Sequence, residues 1–598
     1  MPDPTDTRAR DRAPVDPVLL AVLANRMDSI VREMTNTLLR TGRSAILNTA
    51  RDFSCSIVTA DDRLLSAAEG LPIHIVGSDL LTRSMQRFHD DIREGDAFLH
   101  NDPYNGNTHH ADHTILVPVF HDGVHLFTAV AKAHQADCGN AEPTTYAAHA
   151  KDIYEEGALN FPCVRVQREH KNIDDIIRMC RQRIRVPDQW YGDYLAALGA
   201  ARIGERRLKE LVKRYGPETI RNFCEEWFDY SERRMVQQIS ALPALTISGS
   251  GVHDPLPGLP DGIPVTVELT IKPDEGRIVA DLTQNIDAVP NGMNLSEATA
   301  LSSVIIGICN QLPTQVPHND GSFRRIEVKL RENSVAGIPR HPTSCSVATT
   351  NVADRLINAT QAAFAQLGEG FGLAEGALGQ GPGFGVVSGR DTRSGDVPFI
   401  NQVYFASSGG PGTPGEDGWL FYGIPVAAGL MFRDSVEVAE QKYPILVDEI
   451  RLLADTEGAG TFRGAPGARV SFGPLESPVT VAYTVDGNSR PPAGVRGGQA
   501  TVPHDVHLIH PDGSWQELVT VGAVEVQPGQ KIVSRTNGGG GYGPPEARDP
   551  LRVLDDVRNG FVSAERAREV YRVAVVDDAA SGYVLSLAET ERLRTSRR

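Results

Sequence analysis

No apolar run in this chain of 598 residues approaches the roughly 20 residues that a membrane-spanning helix needs. Residues 1–16 are charged and contain proline, so they lack the apolar centre of a secretory signal. The seven cysteines are odd in number and scattered, with no CxxC pair. That excludes a disulfide framework or a zinc ribbon, and the expected setting is the reducing cytoplasm. Basic residues are outnumbered: a formal charge of −17 disfavours nucleic acid and anionic membrane as partners. There is no Gly-x-Ser-x-Gly elbow, so a serine hydrolase is not expected. Gly538-Gly539-Gly540-Gly541-Tyr542-Gly543 has no Gly-Lys-Ser/Thr ending and no βαβ unit around it. It is read as a tight loop that brings backbone close to a ligand or another subunit, and no ATP site is expected in this chain. No fixed period repeats, which excludes solenoids and propellers.

What is present is ordinary globular material, with 40% hydrophobic and 23% charged residues. The patterning predicts an α+β, multidomain protein with mixed and antiparallel sheets. The expected divisions are a disordered tail at 1–15, an α+β metal-binding domain at 16–240 and an α+β middle domain at 241–370. A glycine-rich, mainly β domain at 371–545 and a helical C-terminal tail at 546–598 follow. Apolar residues at helical spacing predict helices over 17–39, 78–89, 174–185, 193–215, 217–239, 296–312 and 354–367. Residues 71–74 are read as a loop. Alternation over 265–271, a turn at Asp274-Glu275-Gly276 and a return over 277–282 predict a hairpin.

Histidine is scarce, at 17 residues, yet His109, His110 and His113 crowd five positions beside Asp112. Residues 114–120 and 124–133 read as two strands joined by Asp122-Gly123, a tight-turn pair. A two-residue loop places His134 opposite residue 111, between His109 and Asp112. Strand side chains alternate, so His109 and Asp112 share a face only where the backbone is irregular. The Asn, Pro and Gly residues of 101–107 supply that irregularity. Pro118 implies an edge strand or a bulge. Two imidazoles and a carboxylate with open positions suit one catalytic divalent metal ion: zinc, manganese or iron. Asp137 and Asp102 stand near enough to orient a ligand histidine, act as a base or stabilise the loop. Glu156 belongs to a paired carboxylate with Glu155, read as a catalytic group of the pocket or a solvated turn. Cys138 is read as buried rather than nucleophilic. Arg181, Arg183 and Arg185 alternate as an anion-binding stripe, a solvated face or a subunit contact.

The motifs Arg51-Asp52-Phe53-Ser54-Cys55, Leu71-Pro72-Ile73-His74, Asn101-Asp102-Pro103-Tyr104, His109-His110-Ala111-Asp112 and Ala133-His134-Gln135-Ala136-Asp137 occur in this order. Tyr154-Glu155-Glu156-Gly157, Arg463-Gly464-Ala465-Pro466-Gly467 and the 538–543 glycines follow. Over roughly 15–575 the chain resembles the hydantoinase B / oxoprolinase / acetone carboxylase α-subunit family. The resemblance implies a metal-bearing catalytic subunit, with His109, Asp112 and His134 falling on the family's ligand pattern. It also implies a partner, a hydantoinase A-type subunit that binds ATP. ATP there activates a carbonyl or carboxyl oxygen, and the activated species reacts in the metal-bearing subunit. Two outcomes are implied: opening of a cyclic amide by water, or carboxylation of a ketone. A non-catalytic metal-binding scaffold is the third reading. The segment 106–112 departs from the commoner hydantoinase pattern Gly-Gly-Thr-His-Leu-Pro-Asp. The stretches 131–140 and 183–193 look closer to the ketone carboxylases.

Overall fold

Asp16 opens the first helix, α1 (Pro17–Thr41), by accepting the N–H groups of Val18 and Leu19. The computed structural model describes residues 15–67, 70–313, 315–578 and 582–595. The expected tail lies outside them but for its last residue. Further helices are α2 (Pro72–Ile75), α3 (Ser78–Phe88), α4 (Ile153–Glu156), α5 (Asp174–Arg183), α6 (Pro187–Tyr215), α7 (Pro217–Ile239) and α8 (Glu297–Cys309). Two of these correct the sequence reading. Helix α2 lies where a loop is expected: Pro72 fits the first helical turn, and one turn suffices to bury His74. Helix α6 begins six residues before the expected 193, again at a proline.

These helices enclose a seven-stranded antiparallel sheet of β1 (Phe53–Thr59), β2 (Leu64–Ser66), β3 (Ala97–His100), β4 (Asp112–His121), β5 (Val124–His134), β6 (Val164–Arg168) and β7 (Lys171–Asn172). The spatial order is β2-β1-β5-β4-β3-β6-β7. Alternation sorts its side chains. Ile115 and Val117 of β4, with Ala129, Ala131 and Ala133 of β5, join the core formed with α1 and α6. Leu116 and Val130 pack with Leu81 and Met85 of α3 on the opposite face. Asp112 and His134 share that second face by the two-residue period.

The β4–β5 hairpin turns at Asp122 and Gly123, both at positive φ (50° and 75°), as the expected tight turn requires. The edge reading of Pro118 is corrected, because β4 sits at the centre of the sheet. The β3–β4 ladder runs only from Phe98↔Leu116 to His100↔Thr114, so Pro118 lies past its end. The bulge falls beside the proline, between Val119 and Phe120. It shifts the register by one residue, so His134 faces Asp112 rather than residue 111. One extra residue therefore sets two of the expected ligands directly opposite each other.

The rest of the chain forms β8 (Leu245–His253), β9 (Ile263–Lys272), β10 (Arg277–Asp281) and β11 (Ile326–Lys329), with β10 and β11 parallel and the other pairs antiparallel. Two five-stranded antiparallel sheets occupy 379–526 and 445–535. The architecture is α+β with mixed and antiparallel sheets, as the patterning predicts. Gly538–Gly543 departs from its reading. A Cβ at Gly539, Gly540 or Gly541 would lie 1.8–2.1 Å from a carbonyl oxygen of Gly410, Ala493 or Ala459. These glycines let segments of this chain's own backbone meet. The C-terminal segment is not wholly helical: Val575–Asp578 pairs with Gly582–Leu585 beside helices Pro550–Arg558 and Ala564–Glu569. Buried Val553, Val557, Ala567 and Tyr571 give it a small core.

Candidate metal centre

The loop 101–111 is irregular, as its Asn, Pro and Gly content predicts, and two asparagines hold it. Asn101 Nδ2 donates to the carbonyls of His110 (2.7 Å) and Leu159 (2.8 Å), while its Oδ1 accepts from Phe161 N–H (2.6 Å). Asn107 Nδ2 donates to the carbonyls of His109 (3.0 Å) and Asp112 (2.8 Å). Gly106 has φ +97°, and a Cβ there would lie 2.6 Å from Leu80 Cβ and 2.8 Å from its carbonyl carbon. Gly106→Ala is therefore expected to lower stability by about 2–4 kcal/mol, through left-handed strain plus a backbone clash. Thermal and urea unfolding check this.

The loop delivers His109 to the end of β4, where Asp112 and His134 already face each other. Asp112 Oδ1 is 3.2 Å from His109 Nε2 and 3.1 Å from His134 Nδ1, and the two ring nitrogens are 3.3 Å apart. The three residues are buried and form a cluster with metal-ligand chemistry. The His109 tautomer is set from behind: its Nδ1–H donates to the Ser346 carbonyl at 2.9 Å, because a carbonyl only accepts. With that proton behind it, His109 Nε2 faces Asp112 and His134. Two ring nitrogens and one carboxylate oxygen converge at these distances. This donor set fits a divalent ion.

A second ring of polar groups surrounds the triad. His74 Nε2 is 3.2 Å from Asp112 Oδ2 and 3.7 Å from Asp52 Oδ1. Thr108 Oγ1 also donates to Asp112 Oδ2. Tyr404 donates to Asp52 Oδ2 at 3.0 Å. The Tyr146 ring stacks beside both histidines of the cluster, with centroids 6.2 Å from His109 and 5.7 Å from His134. Burial alone would raise the Asp112 pKa, but the imidazoles of His109 and His74 outweigh it and hold the carboxyl well below the usual range. Lys132 shares the strand face of His134, and burial pushes its pKa down to about 8. Sequence reasoning assigned His74, Asp52, Tyr146, Tyr404 and Lys132 no place here. A signal existed for one of them: Lys132 stands among alanines in a strand whose interior is buried.

The expected catalytic carboxylates lie outside the triad. Asp102 caps the turn Pro103–Asn105, accepting from Tyr104 N–H (2.9 Å) and Asn105 Nδ2 (2.6 Å). Asp137 accepts from the N–H groups of Gly139 (2.9 Å) and Arg185 (2.6 Å). Glu156 is buried and accepts from His110 Nδ1 (3.0 Å) and Ser344 Oγ (3.1 Å). Nε2 of His110 is buried without a partner among the described residues. Cys138 is buried as expected, and burial, with Asp137 and Glu156, raises its thiol pKa well above the ordinary value. The three arginines form no anion stripe. Arg181 pairs with Asp188, Arg183 donates to the Gly157 carbonyl, and Arg185 donates to those of Asn140 and Ala141.

The Hydantoinase B/oxoprolinase family model matches residues 16–545. This chain belongs to that family. The beta subunit of a caprolactamase from Pseudomonas jessenii is 31% identical over 579 residues, covering 95% of this chain and 98% of that one. A crystal structure of the ATP-dependent caprolactamase from the same organism superposes with a TM-score of 0.87 at 29% identity, covering 97% and 99% of the two chains. A nucleotide-free acetone carboxylase structure also gives 0.87, at 18% identity, over 97% of this chain and 82% of that one. At that identity the likeness shows the fold alone. Among the described residues, no helix is long and apolar enough to cross a membrane.

Proposed function

We propose that this chain is the metal-bearing catalytic subunit of a cytoplasmic, ATP-dependent hetero-oligomer that opens cyclic amides. The observation that carries the reading is the 31% identity, over nearly both full lengths, with a caprolactamase subunit. The partner is a hydantoinase A-type subunit, which binds ATP and phosphorylates the amide oxygen. Water then attacks the activated carbon in the site described above, the ring nitrogen leaves with a proton as the C–N bond breaks, and a second water releases inorganic phosphate from the resulting acyl phosphate. The 25% identity with the delta subunit of an acetophenone carboxylase from Aromatoleum aromaticum, over 100% of this chain and 91% of that one, keeps ketone carboxylation as the second reading.

His109, Asp112 and His134 would hold one divalent ion, and zinc, manganese and iron all suit the donor set. Such an ion supplies Lewis acidity, lowering the pKa of water and polarising a substrate oxygen. The chain's own groups prepare the place. Ser346 aims His109, and His74 and Thr108 engage the second oxygen of Asp112, leaving Oδ1 for the ion. Tyr146 closes one side of the imidazole pair. Glu156 fixes the proton on His110 Nδ1, which leaves Nε2 of that ring free to accept one. Asp102 and Asp137 act as braces of the two loops.

The test is a reconstituted complex given ATP with either cyclic amides or ketones plus bicarbonate. Ring opening predicts ATP consumption with lactams, oxoproline or hydantoins and no need for bicarbonate. Bicarbonate-dependent ATP consumption, with label from bicarbonate in a keto acid, would replace it with the carboxylase reading.

A further inference from the structure

The ligand triad is buried, and a reading that opens rings needs a place for the ring. A cavity of about 690 Å³ lies against the same two segments that carry Asp52 and His74. It is within the range of small-molecule sites. Leu39 of α1, Phe53, Leu71 and Ile306 of α8 give it apolar walls, with Leu430 and Phe432 exposed at its rim. Arg51 and Phe53 line it, while Asp52 between them turns to Tyr404 and His74. Leu71 and Pro72 line it, while His74 of the same helical turn reaches Asp112. One thin wall therefore presents an apolar face to the cavity and a polar face to the metal centre.

Arg51 is the cation of this cavity. A π-helical turn, Ile46–Ala50, ends on it, and it adopts left-handed angles (φ 60°, ψ 40°). A non-glycine residue is seldom held there, and π-turns and left-handed strain gather at functional positions. Its guanidinium lies 3.9 Å above the Phe432 ring at the rim. Among the described residues no carboxylate is placed in ion-pair contact with it.

We propose that this cavity is a binding site for an organic phosphate with an apolar body, the chemistry of a phosphorylated cyclic amide. Its walls take the carbon ring, and Arg51 takes the phosphoryl oxygens through paired N–H donors. The proposal rests on the ring-opening reading, since that reaction makes such a species. The cavity holds it on the apolar side of the Asp52–His74 wall before water reaches the activated carbon.

Phenyl phosphate is the probe, titrated calorimetrically into the full chain beside benzyl alcohol and inorganic phosphate. Phenyl phosphate is expected to bind more tightly than either. Arg51→Gly should weaken phenyl phosphate about tenfold or more and leave benzyl alcohol unchanged, since only the charged hydrogen bonds are lost. Glycine suits the left-handed backbone, so this variant should fold as well as the parent. Ile306→Trp should weaken phenyl phosphate and benzyl alcohol together by filling the cavity. His134→Ala should leave phenyl phosphate affinity unchanged, which separates the cavity from the metal reading. Parental affinity in both cavity variants overturns the proposal. So does the absence of binding to the parent, or a loss confined to His134→Ala.

Discussion

His134→Ala is expected to lose the divalent ion and, with it, turnover. The parent should carry close to one ion per chain, and the variant less than about a tenth of that, because one of three converging donors is gone. A divalent ion contributes several kcal/mol of charge stabilisation, so ring opening in the complex should fall about a thousandfold or more. The fold should survive. His134 sits at the end of β5, and the ladder beneath it, from His113↔Ala133 to the turn, does not use its side chain. Elemental analysis, thermal unfolding and a coupled assay measure the three quantities. Asp137→Asn is the control: it weakens a loop brace and should keep the ion. Full occupancy in His134→Ala would refute the ligand assignment, whatever the activity. If Asp112→Ala retains full turnover, the ion is not catalytic and the scaffold reading takes over.

The isolated chain should neither bind nor hydrolyse ATP, and both should appear only with the partner subunit. The glycine-rich loop gives the physical reason. A phosphate cradle needs backbone N–H groups free to point at oxygen. Here those of Gly539, Gly540, Gly541 and Gly543 are spent on the carbonyls of Ala465, Glu375, Gln499 and Val495, at 2.8–3.0 Å. The Gly538 N–H donates to Thr501 Oγ1 at 2.8 Å. Calorimetry with ATP on the chain alone, then on the complex, checks this. Tight ATP binding by the isolated chain would sink it.

Much of the site could be read locally. The turn pair Asp122-Gly123, the apolar strands on either side and the spacing of His109, Asp112 and His134 lie within 26 residues, and a hairpin needs no distant partner. The register was one residue off because a bulge is a response to the neighbouring strands rather than to its own residues. Pro118 marked the place but not the outcome. The three carboxylates singled out beside the ligands illustrate the limit. Being near in sequence did not tell Asp102, whose oxygens accept from Tyr104 and Asn105 beside it, from Asp137, which meets the Arg185 N–H, or from Glu156, which reaches His110 across 46 positions. His74 gave no local sign of its role, since its imidazole meets Asp112 only when α2 packs against the sheet.

The sequence by itself determined the α+β class and the family motifs, and it pointed to His109, Asp112 and His134 as one cluster, because each depends on composition, short spacing or a single hairpin. Only the tertiary structure decided the rest. It turned His134 to face Asp112, brought Asp52, His74, Tyr146 and Tyr404 together from positions 52 to 404, and filled the glycine loop with the chain's own backbone. Those contacts join segments hundreds of residues apart. They form only when helices and sheets bury their faces against one another, and no local pattern records which distant side chain will be met.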